Sequence, residues 1–326
     1  MRKEISPDID SRDSRDSRLA LALRCAELYY IKKASQSAIA RELGCSVPTV
    51  SRLLKTAEDE GMIEVRVINP FARVGDLEAG LRSRFGLLEC RVVNAPKLAA
   101  EGKKVLGATA AELVSELISA GDLVGLSWGV TMRELVNSLP SYGRPVSATV
   151  IPLLGGLGEV TPEHQVNGLV HEFAECFGAE YRMLHAPALS DRAETVKLLM
   201  DELTIRQVVD MWEKLNLAVV GIGESPRTSP MRRTGYYTDD EIAELTEAGA
   251  VGDISGRFFD YDGAEVDASA NRRLLAISSD TLKKAHRRLG VAGGPAKVRA
   301  IAGALRGGLI NVLVTDSSTA WALLQG

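Results

Sequence analysis

The sequence predicts an α/β protein in two parts: an N-terminal helix-turn-helix domain of the winged type, then a larger Rossmann-like α/β domain. Three observations predict it. At 326 residues the chain holds about two domains' worth, at roughly 150 residues each. Between Leu19 and Ala57 the apolar residues recur at helical spacings around one glycine turn. Beyond Pro70, short β-rich runs alternate with helical stretches, the pattern of a mostly parallel sheet covered on both faces.

Residues 1–18, ending in Ser11-Arg12-Asp13-Ser14-Arg15-Asp16-Ser17-Arg18, carry almost nothing to bury and read as a disordered tail. Their five basic and five acidic residues cancel, which leaves a nucleic-acid arm and a plain solvated leader both open. From residue 19 to 69 the character changes. Leu21, Cys25 and Leu28 lie at i, i+4 and i+7 and mark one buried helix face. Ser35 is a good N-cap for a second helix that buries Ile39 and Leu43, and Gly44 suits the left-handed residue that closes it. Ser46 caps a third helix with Pro48 in its first turn; Val50, Leu53, Leu54 and Ala57 form its buried stripe. Gly61 then turns the chain into Met62–Val67, an alternating strand that Pro70 ends.

Residues 70–326 form the larger domain. Strands are expected at Cys90–Val93, Leu123–Leu126, Thr149–Leu153, Leu217–Val220, Leu274–Ile277 and Ile310–Thr315. Helices fill the gaps at Val74–Phe85, Thr131–Leu139, Val166–Phe177, Arg192–Met211 and Lys297–Leu305.

Composition narrows the function classes. The chain is 45% apolar and 25% charged, near the globular average, and its 5% aromatic content makes the core mostly aliphatic. Four well-separated cysteines give neither a disulfide framework nor a zinc spacing. The net charge of −4 excludes a uniformly basic coat. The N-terminus is charged where a signal peptide needs an apolar core, and no apolar run nears the span of a bilayer, so a cytoplasmic protein without membrane contact is expected.

Helix, glycine turn, helix is the spacing with which a second helix enters the major groove. On that helix Ser46, Thr49, Ser51 and Arg52 remain for phosphate oxygens and guanine acceptors, while Val47 and Pro48 offer bases only apolar contact. Gln36, opening the preceding helix, suits a phosphate. Six basic and two acidic residues between Leu19 and Ala57 give this segment a balance of +4, opposite in sign to the whole chain. The plain alternative is a capped three-helix bundle with a solvated basic face. Cap, turn and core positions are all satisfied together by Gln36–Leu54, which favours binding to double-stranded DNA.

The larger domain shows no G-x-S-x-G elbow and no P-loop, and Gly221-Ile222-Gly223 lacks the third glycine of a dinucleotide fingerprint. His164 and His171 are not at zinc spacing, and His185 and His286 stand alone, so no metal or cofactor is expected. More telling is Leu123–Leu135, where a strand ends in Ser127-Trp128-Gly129 and opens a helix at Val130 and Thr131. Such a loop is either a phosphate cradle or simply a turn with a helix cap. Val291-Ala292-Gly293-Gly294-Pro295-Ala296-Lys297 repeats the theme, placing Lys297 at a second strand–helix junction. In an open α/β sheet both loops would open at the carboxyl ends of the strands, where ligands sit. Arg232 and Arg233 could add positive charge, and Asp253 could accept sugar hydroxyls.

With these segments in view, the chain resembles the SorC family of sugar-responsive bacterial transcriptional regulators from about Leu19 to Leu324. The resemblance is carried by Leu28-Tyr29-Tyr30 with the helix-turn-helix run, Trp128–Thr131, Leu154-Gly155-Gly156, Gly249–Asp253 with Phe259-Asp260, Val291–Gly294, and Leu313–Asp316 with Thr319-Ala320. It implies an effector domain similar to sugar-phosphate isomerases and deaminases, a sugar phosphate or polyol effector, and commonly a tetramer. By position, Gly129, Val130 and Thr131 beside Trp128 would hold a phosphate, with Lys297 as counter-charge. Gln165, one of Arg232 or Arg233, and Asp253 would face the sugar. Where some members have a Schiff-base lysine or a second-phosphate arginine this chain has Leu154, which leaves a monophosphate or a free polyol. The expected function is regulation of carbohydrate catabolism through effector-modulated operator binding. The competing expectation is an isomerase- or deaminase-like enzyme with an appended DNA module, with Asp253 and Asp316 as its candidate bases.

Overall fold

The computed structural model describes residues 10–63, 74–94, 100–158, 165–229 and 236–326. Outside them fall most of the strand expected at Met62–Val67, and also His164, Arg232 and Arg233. By its internal contacts the chain divides into two units, Met1–Asn69 and Pro70–Gly326.

In the first unit, α1 (Asp10–Ala26) runs into a π-type turn (Glu27–Ile31), followed by α2 (Gln36–Glu42) and α3 (Val47–Asp59). Residues 10–18, expected as part of a disordered tail, belong to α1. Extending an existing helix needs no new nucleus, so polar residues joined to a packed helix follow its course. Of the buried face expected from Leu21, Cys25 and Leu28, the structure keeps Cys25 and Leu28 and loses Leu21. Ala22, Cys25 and Ala26 are buried and Leu21 is 46% exposed. Leu21 sits about 100° around α1 from Ala22, off the stripe of Ala22, Cys25 and Ala26, and Leu28 joins the core from the π-type turn that follows. Ile39, Val50, Leu53, Leu54 and Ala57 complete this core, whereas Leu43 is half-buried at its edge. Ser35 and Ser46 cap α2 and α3 by accepting from the backbone N–H of Ala38 and Thr49, and Gly44 makes the turn between them at φ 64°.

The second unit opens with α4 (Val74–Phe85), β1 (Glu89–Val93), α5 (Ala100–Leu117), β2 (Leu123–Leu126), α6 (Val130–Ser138), β3 (Thr149–Pro152), α7 (Val166–Phe177) and β4 (Glu180–Tyr181). There follow α8 (Ala193–Asp201), α9 (Leu203–Val209), β5 (Leu217–Gly221), α10 (Asp239–Glu247) and the hairpin β6 (Gly252–Ile254)–β7 (Arg257–Phe259). The chain closes with α11 (Ser269–Arg272), α12 (Ser279–Lys284), β8 (Arg287–Val291), α13 (Val298–Arg306), β9 (Val312–Asp316) and α14 (Ser317–Gln325).

Seven strands form one parallel sheet in the order β1-β9-β8-β5-β2-β3-β4. Successive strand residues feed opposite cores. Leu217 and Val219 of β5 pack with Leu106, Met132, Leu135 and Phe173, whereas Ala218 and Val220 pack with Leu81, Ile205, Ile301 and Leu323. Burial on both faces is why these strands read as continuous apolar runs. The sequence order reverses direction across β2: β3 lies on one side of it and β5 on the other. That reversal opens a crevice at the carboxyl ends of β2 and β5.

Two expectations for this unit change. Leu274–Ile277 is no sheet strand and makes only isolated bridges, Leu274 with Leu189 and Ala276 with Leu154. Three of its carbonyls are taken instead by the Arg257 guanidinium, which donates to Ile277 O at 3.0 Å, Ala276 O at 2.9 Å and Leu274 O at 3.4 Å. The helix expected over Arg192–Met211 breaks at Glu202, whose ψ of 131° is extended, into α8 and α9.

Candidate functional site

In the helix-turn-helix, the predicted groove-facing residues fall into two groups. The Ser46 and Thr49 hydroxyls lie 2.8 Å apart and Ser46 also caps α3, so both are tied into the helix start. Ser51 and Arg52 are exposed, and their side chains make no hydrogen bond among the described residues. Val47 and Pro48 are exposed beside them, and Gln36 is half-buried at the start of α2. Arg24 lies 3.4 Å from Glu27 and 3.3 Å from Glu42, so one cation answers both acidic residues of the Leu19–Ala57 segment. The surplus positive charge therefore rests on Lys32, Lys33, Arg41, Arg52 and Lys55.

In the larger unit, a cavity of about 430 Å³ occupies the crevice beyond β2 and β5. It brings together Trp128, Gly129, Val130 and Thr131 after β2, Gly221–Glu224 after β5, Gly293–Lys297 after β8, and Asp253 and Ser255 from the hairpin. Six of the predicted effector residues thus share one cavity. Leu154 and Gln165 are not among its described lining residues. Leu154 is buried in the core opposite Ala276. Gln165 is held to the backbone of Leu157, donating to its carbonyl and accepting from its N–H.

Local structure explains each wall. Gly129, at φ 115°, precedes α6 and supplies no side-chain cap, so the first N–H groups of α6 are left uncapped at the cavity wall. The tight turn between β6 and β7 places Ser255 and Gly256 at φ 55° and 80°, as a hairpin of this length requires. That turn brings the Ser255 hydroxyl within 3.0 Å of Ser127 and Asp253 onto the cavity floor. Gly223 is needed there, because a Cβ on it would fall 1.8 Å from Asp253 Oδ1. Gly294 N–H donates to Asp316 Oδ2 and to Thr319 Oγ1, both at 2.8 Å. Asp316 caps α14 as well, and α14 lies against α4, where Leu324 contacts Gly80 and accepts from Arg84.

The electrostatics are mixed in sign. Burial pushes the Asp253 carboxyl up to about 6, against the Gly256 N–H and the Lys297 charge, which both act to lower it. Desolvation pushes the Lys297 ammonium below the usual lysine range, while Asp253 and Glu224 act to raise it. Lys297 Nζ donates to Ile222 O at 2.6 Å. Sequence reasoning did not single out Lys103, Glu224, Ser229 or Ser255, all of which line this cavity. Only the glycine pair at Gly221 and Gly223 hinted at a ligand wall after β5. No signal marked Lys103, one of two adjacent lysines on a helix.

A helix-turn-helix unit joined to an α/β domain with a crevice of this kind defines a class: DNA-binding regulators that sense a small molecule. Residues 69–325 match the Sugar-bind family of sugar-binding domains, and residues 13–65 match a homeodomain-like family. The deoxyribonucleoside regulator of Bacillus subtilis is 35% identical over 94% of this chain and 97% of its own. The sorbitol operon regulator of Klebsiella pneumoniae is 33% identical over 94% of this chain and 98% of its own. The solved full-length sorbitol operon regulator SorC from Klebsiella pneumoniae has a TM-score of 0.73 at 32% identity, covering 94% of this chain and 99% of that one. The chain belongs to the SorC family and is a transcriptional regulator with a sugar-binding domain. Among the described residues, no helix is long and apolar enough to cross a membrane, and no cluster of His, Cys, Asp or Glu could hold a metal.

Proposed function

We propose that this chain controls genes of carbohydrate use from the cytoplasm, and that a sugar phosphate or polyol in the β2–β5 crevice sets its operator affinity. The single observation that carries this is the cavity itself, where an uncapped helix start, two lysines and two carboxylates face one another. Val130 and Thr131 hold the ligand's phosphate through backbone N–H groups and a hydroxyl, with Lys297 as counter-charge. Asp253 accepts sugar hydroxyls. Arg52 and Ser51 read the major groove, with Val47 and Pro48 touching bases through apolar contact. Gln36, Ser46 and Thr49 hold backbone phosphates.

The chain acts as a binder and performs no chemistry. Asp316, one candidate base, is fully buried and already accepts from Gly294, Ser318 and Thr319. That leaves Asp253 as the one candidate base that lines the cavity. The working unit is a homo-oligomer, a tetramer by resemblance, because paired half-sites demand paired heads. The ligand shifts operator affinity only so far as it favours one arrangement of subunits over another. A coupling of about 1–3 kcal/mol would change that affinity about 5–150-fold.

A thermal-shift screen of the full chain against sugar phosphates and polyols tests the reading, followed by operator titration with the best ligand. At 100 times its dissociation constant a ligand stabilises the fold by about 2.7 kcal/mol. Thr131→Ala and Lys297→Ala should blunt that shift and leave operator binding without ligand unchanged. A full shift in both variants removes the phosphate site. Turnover of any sugar phosphate, lost in Asp253→Ala, would establish the enzyme instead.

A further inference from the structure

Taking the cavity as the effector site, we infer that Lys103 of α5 is a principal cation for the phosphate of its ligand. The argument begins at the crossing of α5 and α6. Gly107 lies against the backbone of Glu134, and a Cβ there would fall 2.6 Å from the Glu134 carbonyl carbon. Such contact lets the two helices meet backbone to backbone. Lys103 is one turn before Gly107, and Val130 is one turn before Glu134. Both line the cavity, so the start of α6 and the Lys103 side chain face the same space.

The charges in that space are unequally matched. Lys297 already donates to the Ile222 carbonyl, and Asp253 and Glu224 are its opposite-sign neighbours. Lys103 is half-buried and makes no hydrogen bond or ion pair among the described residues. Its charge acts on Lys297 as a like charge, and the positive end of α6 is its other neighbour. Hydroxyl groups of a free polyol would leave this positive side unanswered. A phosphate dianion answers Lys103, Lys297 and the open N–H groups of α6 together. Asp253 and Glu224 accept hydroxyls and repel a second phosphate. The ligand therefore enters one way round, phosphate toward α5 and α6 and hydroxyls toward the two carboxylates.

The test uses the full-length protein titrated with inorganic phosphate at constant ionic strength, followed by calorimetry. Lys103→Met should weaken phosphate binding about tenfold, as expected for loss of one charge-assisted contact. Lys103→Arg should retain most of it, and Lys104→Met, the exposed neighbour, should bind like the unaltered chain. Equal binding by Lys103→Met and the unaltered chain, with loss in Lys297→Met, overturns the role of Lys103 and leaves the effector site standing. Equal loss in Lys103→Met and Lys104→Met overturns it too, as a general effect of surface charge. Failure of the unaltered chain to bind phosphate removes the phosphate cradle and this inference together.

Discussion

Helix α3 and the β2–β5 crevice handle their polar groups in opposite ways. On α3, a single stretch of thirteen residues buries four apolar side chains on one side and leaves Ser51 and Arg52 in solvent on the other. In the crevice, segments from Lys103 to Lys297 contribute, and several groups are shared with the scaffold. Asp253 fixes the Gly256 turn and Asp316 fixes the Gly294 loop. Function in the head is thus separable from folding at Ser51 and Arg52, whose side chains support nothing else among the described residues. In the body the two are entangled, since residues that face the cavity also shape its wall.

Stability measurements can break that contrast, and the largest expected effect is in the body. Asp253 holds its proton up to about 6 in the fold, above its ordinary 3.8, because burial disfavours the charge. The unfolded chain gives up that proton first as pH rises. The group's contribution is therefore fully present below pH 4 and is lost as pH climbs through 6, a change of about 3 kcal/mol. Asp253→Asn should lack this loss, seen as a smaller fall in melting temperature between pH 4 and 7 than in the unaltered chain. Parallel pH profiles for the two proteins would show that the carboxyl is not buried as described.

Gly223→Ala comes next. Its methyl group would collide with Asp253, costing about 1–3 kcal/mol by overpacking, and effector binding should be lost with it. A variant that keeps full stability and loses only the ligand would separate function from folding in the body after all. In the head, Ser46→Ala removes a helix cap and should cost about 1 kcal/mol in chemical denaturation.

Arg52→Ala has the smallest effect on stability, within about 0.5 kcal/mol, as for an exposed side chain without partners. Its operator affinity should nevertheless fall about 5–150-fold, the worth of one bidentate base contact. A large drop in melting temperature would show that the head is no more separable than the body.

The same contrast explains what could be read from the sequence. Helices Val74–Phe85 and Val166–Phe177 were legible to the residue, because an apolar stripe and its end signals are local. So was the turn at Gly44. Strand β8 was hidden, since Arg287, Arg288 and Gly290 break the apolar run that marks a buried strand. The arginine side chains are used elsewhere: Arg287 reaches Asp122 at 2.8 Å, and Arg288 donates to the Gly308 carbonyl at 3.1 Å. Leu274–Ile277 misled for the reverse reason, an apolar run whose carbonyls Arg257 had taken. In the crevice, Gly129, Thr131, Asp253 and Lys297 stand at or beside glycines and helix starts that are visible locally. Lys103 gains its position from Gly107 meeting Glu134, a contact between distant segments that no local pattern encodes.

One tie at the lip of the crevice has reach. Because Asp316 both grips the Gly294 amide and anchors the last helix of the chain, the lip cannot shift alone. Either two hydrogen bonds break or α14 is dragged along, and with it α4, through Leu324 against Gly80 and Arg84. On the proposed reading, a sugar that tugs on the lip pulls a cord running to α4. Trimming the chain before Leu324 should leave the crevice intact and cut that cord.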